Sequence, residues 1–373
     1  MRVGDVCTLV FGQSPSSDSY NADGDGLPFY QGNADFGKEH PKAKVWCNAP
    51  KKTARAGDIL LSVRAPIGAV NTAEEVCCIG RGVAAVRPNP SKVNAVYLKQ
   101  QLLARRALLE SKGTGSTFKA VGKKVLTEFP VILYSLSEQE ALARKLQTIQ
   151  DNLRVADQKL FRLDLLVKSR FVEMFGTAQD PKYAVVPVEN VCSAIVDCPH
   201  ETPKYEGCLV HPAIRTSELT GTGISWETMK YVSDEEYLRR IRRIKPLPGD
   251  VVYAREGTYG NAAVLPEGHD FCLGQRTMLF RPKAELCLSN YLLHALTSVD
   301  VKRQADELNV GSTVPHVNVR DAKRFAIPMP PIREQQEFAD FVAQVDKLRV
   351  EAQAQKEKLQ TLYDSLAQDY FAI

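Results

Sequence analysis

The chain has 373 residues, of which 44% are hydrophobic and 25% charged, and its formal net charge at pH 7 is +4. This balance is typical of a folded globular protein with room for two domains, and it excludes extensive disorder. No apolar run approaches the roughly 20 residues of a membrane span, and the chain enters a strand-like segment without a basic and apolar leader. We therefore expect a cytoplasmic protein with no membrane partner.

Residues 1–135 predict a globular unit that combines several strands with one helix. The opening residues are typical of a short strand or turn followed by a polar loop. Compact apolar segments bounded by Gly or Pro predict buried strands at 27–33, 57–63, 76–79 and 82–86. Apolar residues near a 3.6 period predict a helix over 96–109, and a flexible loop over 112–119 and a strand over 129–133 follow it.

The segment 136–177 predicts a long helix with one apolar stripe. Neither Pro nor Gly occurs between 136 and 174, and only Arg170 interrupts the apolar series. The series alternates at spacings of four and three: Leu142, Leu146, Ile149, Leu153, Ala156, Leu160, Leu163, Val167 and Met174. A stripe sustained over more than four heptads favours a coiled coil, which requires a partner helix.

The segment 331–373 supplies that partner. It repeats the same spacing with Gln355 and Asp369 at two polar positions, and its apolar members are Phe341, Val345, Leu348, Ala352, Leu359, Leu362 and Leu366. We expect the two helices to pair within the chain. Their outward faces, where a partner could dock, carry Lys145, Arg154, Arg162, Glu337 and Glu357.

The two halves of the chain contain the same short sequences in the same order. The pairs Glu138-Gln139 and Glu334-Gln335 lie 196 residues apart, and earlier matches include 57–60 with 249–252, 67–68 with 259–260, and 116–117 with 312–313. This indicates a tandem duplication of a globular unit plus a long helix, because solenoid repeats are only a few tens of residues long. The second unit, 178–330, repeats the order of the first, with a helix over 291–298 and a loop over 311–316. Each unit is therefore predicted to be mixed α+β, in the broad α/β class.

The nine cysteines do not follow a metal-binding pattern. No CxxC pair occurs, although Cys192, Cys198 and Cys208 have His200 and His211 nearby. Cys7 and Cys192 fall at equivalent places in the two halves, as do Cys78 and Cys272. We interpret them as free thiols at buried strand positions, with a metal site in the second unit as the alternative.

Positive charge is concentrated in the first unit, where basic residues exceed acidic ones by seven over 1–135. The second unit has a net charge of −1 over 178–330 but carries a basic cluster at 239–243. Both charge distributions are compatible with binding to a phosphate backbone. The second unit can bind one only if its acidic residues lie away from the binding surface.

Known catalytic motifs are missing from the sequence. The loop 112–117 has glycines beside a lysine, but the spacing of a phosphate-binding loop is not met. No GxSxG, HExxH or EF-hand pattern occurs, and the histidines have no paired carboxylate spacing. We expect no catalytic residues, no cofactor and no metal.

The duplicated pattern resembles the DNA-specificity subunits of type I restriction-modification systems. The resemblance covers essentially the whole chain and rests on the order Gly-Asp-Ile/Val, Gly-Ser-Thr, a strand ending at Pro328-Met329-Pro330-Pro331, and a long helix. It implies two tandem target recognition domains (1–135 and 178–330) and two long spacer helices (136–177 and 331–373) that form an antiparallel coiled coil.

The resemblance also implies a function. Each recognition domain would read one half of a bipartite sequence in double-stranded DNA. The helices would set the spacing and dock two methyltransferase subunits, and restriction or translocase subunits would join that complex. The chain itself would not be an enzyme.

Candidate DNA-binding residues follow from the chemistry of the base edges and of the phosphate backbone of DNA. Arg, Lys, Asn and Gln read base edges in the major groove, whereas Ser, Thr, Lys and backbone amides hold phosphates. In the first unit the candidates are Gln31, Asn33, Arg64, Arg81, Ser116, Thr117 and Lys119. In the second unit they are Arg215, Thr216, Arg255, Tyr259, Arg276, Ser312, Thr313 and His316. Residues shared by both copies cannot explain two different targets, so base readers are expected where the copies differ.

Two other functions are compatible with the sequence. The chain could be a non-catalytic coiled-coil scaffold that links two peptide-binding domains. A third hypothesis is an unrecognised nuclease. Salt-sensitive, sequence-specific DNA binding separates the specificity subunit from the scaffold.

Overall fold

A computed structural model of the chain describes residues 1–115, 119–177, 179–207, 210–308 and 316–371. The described residues form two compact units, the first made of 1–158 and 353–373 and the second of 159–352. Both units mix strands and helices, as the sequence predicted. Because the division between the units falls within each long helix, each unit contains part of both helices.

The first unit is built on two sheets. An antiparallel four-stranded sheet has the order Cys7–Phe11, Val83–Pro88, Ile59–Ser62 and Val70–Thr72. A five-stranded sheet has the order Tyr20–Asn21, Trp46–Cys47, Leu27–Tyr30, Cys77–Ile79 and Thr53–Ala54. In the latter, Leu27–Tyr30 and Cys77–Ile79 run parallel. The helices are Val3–Val6, Ala95–Ala104, Arg106–Ser111 and Lys123–Thr127, and short 3₁₀ turns lie at Ser17–Ser19 and Asn33–Asp35.

The second unit repeats the four-stranded sheet. Its order is Cys192–Asp197, Thr277–Pro282, Val251–Ala254 and Ala262–Val264. A three-stranded sheet of Lys230–Val232, His211–Ile214 and Cys272–Leu273 contains the matching parallel pair. Two further ladders join Leu219–Thr220 to Gly223–Ile224 and Val185–Pro187 to Ala326–Pro328. The helices are Val188–Val191, Asp234–Arg240, Ser289–Leu296, Val299–Leu308 and Val319–Ala322. The shared sheet order confirms the duplication.

The first long helix is Leu136–Phe175 and the second is Ile332–Phe371, each of 40 residues. Within each unit their segments run antiparallel. In the first unit, Gln150 donates to the Tyr363 hydroxyl at 3.2 Å and Lys356 pairs with Asp157 at 2.8 Å. In the second unit, Arg349 pairs with Asp164 at 2.7 Å and Arg170 with Glu337 at 3.1 Å.

The heptad series locates most of the buried stripe but not all of it. Leu146, Leu163 and Val167 are buried as predicted, whereas Leu348 and Leu362 are 44% and 47% exposed. Phe338, Val342 and Phe371, outside the predicted series, are buried instead. A straight helix with 3.6 residues per turn drifts against a strict seven-residue repeat. The second helix packs on a different globular unit at each of its ends, so its buried face follows those units.

Four other local predictions differ from the structure. The opening residues form a helix, Val3–Val6, before the first strand, and the predicted helix over 96–109 is divided at Arg105. The segment 129–133 forms no named strand, only a bridge between Pro130 and Arg2. In the second unit the helix predicted at 291–298 is followed by another, Val299–Leu308, which the sequence pattern did not predict.

The described cysteines are free thiols at largely buried positions. Cys7 and Cys192 each begin the first strand of a four-stranded sheet, although Cys7 is partly exposed. Cys78 and Cys272 occupy matching parallel strands, which confirms the predicted strand positions. Burial raises the pKa of the Cys78 and Cys272 thiols to about 12. No group of three or more metal-ligating side chains is found among the described residues.

Candidate nucleic-acid interface

One edge of the first unit, which we term the first rim, is formed by residues 30–31, 63–64, 80–82 and 119–121. Backbone hydrogen bonds hold these segments side by side. The Gly80 N–H donates to the Tyr30 carbonyl at 2.8 Å, the Val63 N–H to the Gly82 carbonyl at 2.9 Å, and the Val121 N–H to the Val63 carbonyl at 2.8 Å. The four segments that carry most of the first-unit candidates therefore lie next to one another at this edge.

The first rim exposes three cations and one amide. Gln31, Arg64, Arg81 and Lys119 are all exposed, and Ala120, next to Lys119, pairs with Arg64 in an antiparallel bridge. None of the three cations has an acidic partner within 4 Å in the described part of the chain. Arginine and lysine free of internal partners are available to a polyanion.

The remaining first-unit candidates are placed differently. Asn33 is partly buried at the start of the turn Asn33–Asp35, where the Asp35 carboxylate accepts the Gln31 N–H at 2.6 Å. Ser116 and Thr117 lie outside the described residues.

Glycine is required where the first rim is tightest. A Cβ atom at Gly82 would lie 2.2 Å from the Gln31 carbonyl oxygen, far inside van der Waals contact. The absence of a side chain at Gly82 thus lets the 80–82 segment pack directly against the end of the strand that carries Gln31.

An equivalent edge in the second unit, the second rim, consists of residues 214–216, 255–256, 274–276 and 316–317. Its hydrogen bonds match those of the first rim. The Gly274 N–H donates to the Ile214 carbonyl at 2.7 Å, the Arg255 N–H to the Arg276 carbonyl at 2.9 Å, and the Val317 N–H to the Arg255 carbonyl at 2.9 Å. The two rims are therefore built on the same backbone scaffold.

Each arginine of the second rim has an acidic partner. The Arg215 guanidinium bonds the fully buried Glu218 carboxylate, with Nε to Oε2 at 3.0 Å. Arg255 is 9% exposed and pairs with Asp197. Arg276 is exposed and lies 3.1 Å from Glu256, with its backbone in the left-handed region at φ 64°. The second rim is thus locally close to neutral, unlike the first.

The other second-unit candidates flank these arginines. Thr216 is partly buried, and its carbonyl accepts the Thr258 hydroxyl at 3.2 Å. Tyr259 donates to Asp306, and this hydrogen bond raises the pKa of the tyrosine. His316 is exposed and pairs with Glu256 in an antiparallel bridge. Ser312 and Thr313 lie outside the described residues.

The basic cluster at 239–243 does not form one surface. Arg239 bonds Glu236 and Glu201, and Arg240 is 4% exposed, whereas Arg242 and Arg243 are exposed. The Arg240 guanidinium donates to the carbonyls of Leu273, Glu201 and Pro199 at 2.9, 3.2 and 3.4 Å. It ties the segment before Gly274 to a neighbouring loop, a role that the run of basic residues did not indicate.

Sequence reasoning also missed the acidic residues of the second rim, Glu218, Asp197 and Glu256. Glu256 occupies the place of Arg64, because each follows the residue that bonds the neighbouring rim segment. The repeat of 57–60 in 249–252 has an offset of 192, which aligns Arg64 with Glu256. This alignment was the sequence feature from which Glu256 could have been identified as a rim residue.

Comparison with known proteins assigns the chain to a family. Residues 1–162 and 211–361 match the family model described as type I restriction modification DNA specificity domain. The chain belongs to this family. The matched ranges cover most of both units, in agreement with the duplication seen in sheet order and rims.

Two similar proteins in Methanocaldococcus jannaschii are named as specificity subunits of type I restriction enzymes. A protein named as the type I restriction enzyme MjaX specificity subunit is 42% identical over 147 residues, 39% of this chain and 35% of that protein. The type I restriction enzyme MjaVIII specificity subunit is 22% identical over 287 residues, 71% of this chain and 66% of that protein. The matches therefore span about a third and just under two thirds of these relatives.

A solved structure shares the fold. The crystal structure of a type I restriction-modification system S subunit from M. genitalium matches all of this chain and 95% of that one, with a TM-score of 0.56 and 13% identity. In the described part of this chain, no helix has the length and apolar character needed to cross a membrane.

Proposed function

We propose that the chain is the DNA-specificity subunit of a type I restriction-modification complex. In this proposal it reads a bipartite target in double-stranded DNA and catalyses no reaction itself. Residues 1–135 and 178–330 are the two target recognition domains, and 136–177 and 331–373 are the spacer helices. Because its DNA would be cytoplasmic, we place the protein in the cytoplasm.

The observation that carries this proposal is the presence of two rims on one repeated scaffold with different side chains. Equivalent hydrogen bonds order both rims, yet the first offers Arg64, Arg81 and Lys119 and the second offers paired arginines. Two similar modules with different exposed polar groups suit the reading of two different half-sites. The family membership supports the same ligand.

Docking of partner subunits is proposed for the long helices. The first long helix exposes Val155 at 61% and Phe161 at 63%, and the second exposes Val350 at 69%. Leu165 and Val172, each 44% exposed, lie on the same face of the first long helix as Phe161, because they follow it by four and eleven residues. A contiguous exposed apolar patch of this kind is typical of protein interaction sites. We propose that two methyltransferase subunits bind these helices and that restriction or translocase subunits join them.

Two measurements test the proposal. The full chain is used as bait in its native cell extract, and a DNA methyltransferase is expected to co-purify at about two copies per bait. The purified complex is then used to select duplexes from a randomised pool, and two short conserved elements separated by a fixed non-specific spacer are expected.

The scaffold alternative predicts different results. If the two units bind peptides, the selected duplexes show no shared sequence and no methyltransferase co-purifies at low salt. Either result would contradict the proposal that the chain is a specificity subunit.

A further inference from the structure

The position that follows the central rim strand carries opposite charges in the two units. Val63 and Arg255 make the same pair of backbone bonds, so the next residues, Arg64 and Glu256, occupy equivalent places. Each of them forms an antiparallel bridge with the incoming segment, Arg64 with Ala120 and Glu256 with His316. The scaffold is the same, and only the side chain differs.

A carboxylate on a surface that meets DNA needs a reason, because it repels the phosphate backbone. Neutralising Arg255 is not that reason, since Asp197 already pairs with the buried guanidinium. Glu256 lies farther from Arg255, at 3.8 Å. Its pair with Arg276 is exposed on the arginine side, and an exposed ion pair contributes little to stability.

The two arginines instead flank the Glu256 carboxylate, with one of them near each oxygen. Arg276 Nε lies 3.1 Å from Oε2 and Arg255 Nη2 lies 3.8 Å from Oε1, while the glutamate side chain remains 26% exposed. A carboxylate accepts hydrogen bonds and donates none. In the major groove the base-edge donors are the amino groups of cytosine N4 and adenine N6, and acidic side chains accept from cytosine N4.

Arg64 has the complementary chemistry. It is exposed and has no acidic partner within 4 Å among the described residues. An arginine can donate two hydrogen bonds to guanine O6 and N7.

We infer that this shared position is a base-reading position, at which Arg64 reads guanine in one half-site and Glu256 reads cytosine in the other. The inference rests on the proposed function and adds to it the residue and the base class in each unit.

The test is selection of duplexes from a randomised pool by the full chain with its co-purified subunits, followed by sequencing. Glu256→Gln keeps the size of the side chain but adds an amide donor, which suits adenine N6 and N7. The variant is expected to change the preferred base at one position of one half-site from cytosine to adenine, by about fivefold or more. Arg64→Gln is expected to change guanine to adenine at one position of the other half-site only.

Glu285→Gln serves as the matched control, because Glu285 is an exposed carboxylate of the same unit that lies outside the rim segments. It is expected to select the wild-type sequence. Equal thermal unfolding midpoints for all variants exclude misfolding as the cause of any change.

The outcomes are distinguishable. If the wild-type complex selects a bipartite site and Glu256→Gln selects the same site with a uniform change in affinity, the base-reading role is wrong and the proposed function stands. If the wild-type complex selects no sequence, the proposed function is wrong, and the base-reading role falls with it.

Discussion

The Gln335 side-chain carbonyl accepts the Leu288 N–H at 2.8 Å, just before the helix Ser289–Leu296. Its amide donates to the carbonyls of Leu286 and Pro330, both at 2.9 Å. In the first unit, Gln139 accepts the Asn94 N–H at 2.8 Å in the same way. Both glutamines are fully buried. Each therefore fixes the start of a long helix to the helix of its own globular unit.

Replacing Gln335 by alanine should destabilise the second unit by roughly 2–4 kcal/mol, because the Leu288 N–H and two carbonyls lose the partner that this fully buried side chain supplies. Urea denaturation followed by circular dichroism measures the change. Gln336→Ala is the control, since Gln336 is exposed and, among the described residues, its side chain bonds only Asp340. A loss no larger than that of the control would show that the hydrogen bonds contribute no net stability.

His294 should make the second unit less stable in mild acid. Burial, followed by the charges of Arg349 and Lys168, lowers the pKa of His294 to about 4 from an ordinary value of 6.5. Between these values the unfolded chain binds more protons than the folded one, so the free energy of unfolding falls as the pH falls through this window. The expected contribution is about 1–3 kcal/mol between pH 7 and pH 4.

The variant His294→Gln isolates that contribution, because Gln100 occupies the equivalent place in the first unit, three residues after Tyr97 as His294 is after Tyr291. Denaturation at a series of pH values should show a shallower decline for this variant than for wild type. His269→Gln, at an exposed position, is the control and should follow wild type. Parallel curves for wild type and His294→Gln would contradict the prediction.

Arg240 should order the second rim without facing it. Arg240→Lys keeps the charge, but a single ammonium group cannot reproduce the planar guanidinium fork that reaches three carbonyls. We expect faster hydrogen exchange over 199–202 and 273–276, and unchanged exchange in the first unit. The exposed neighbour Arg242 provides the control variant, Arg242→Lys. Exchange that rises equally in both variants would argue against a tether.

The first rim should contribute more than the second to the salt dependence of DNA binding. Each lost phosphate contact reduces the slope of log K against log salt by about 0.9, so Arg81→Gln with Lys119→Gln should reduce it by about 1.8. Arg276→Gln should have a smaller effect, because Glu256 already offsets its charge.

The control for this titration is the double variant Arg2→Gln with Lys92→Gln. Both residues are exposed, and they lie beside the N-terminal helix, away from the rim segments. The variants are compared by measuring DNA binding by fluorescence anisotropy at salt concentrations from about 50 to about 200 mM. Over this range the slope of log K against log salt is well defined. An equal reduction by the control would place the phosphate contacts elsewhere.

Repetition and periodicity made much of the fold predictable. The paired Gly-Asp and Glu-Gln sequences revealed the duplication, and apolar heptad series free of Pro and Gly located both long helices to within a few residues. Short elements were less predictable. The helix Asp234–Arg240 was seen only as a run of charge, and the segment 129–133 was apolar enough for a strand but forms only one bridge.

The sequence by itself determined the repeated architecture, because hydrophobic periodicity and recurring turn residues are local properties of the chain. It also located the candidates Arg64, Arg81, Arg255 and Arg276. Only the tertiary structure decided which of these cations face outward and which are paired with Asp197 or Glu256. Those pairs join residues up to 58 positions apart, for instance Arg255 and Asp197. Such partners are chosen by strand pairing and packing, which no local pattern in the sequence specifies.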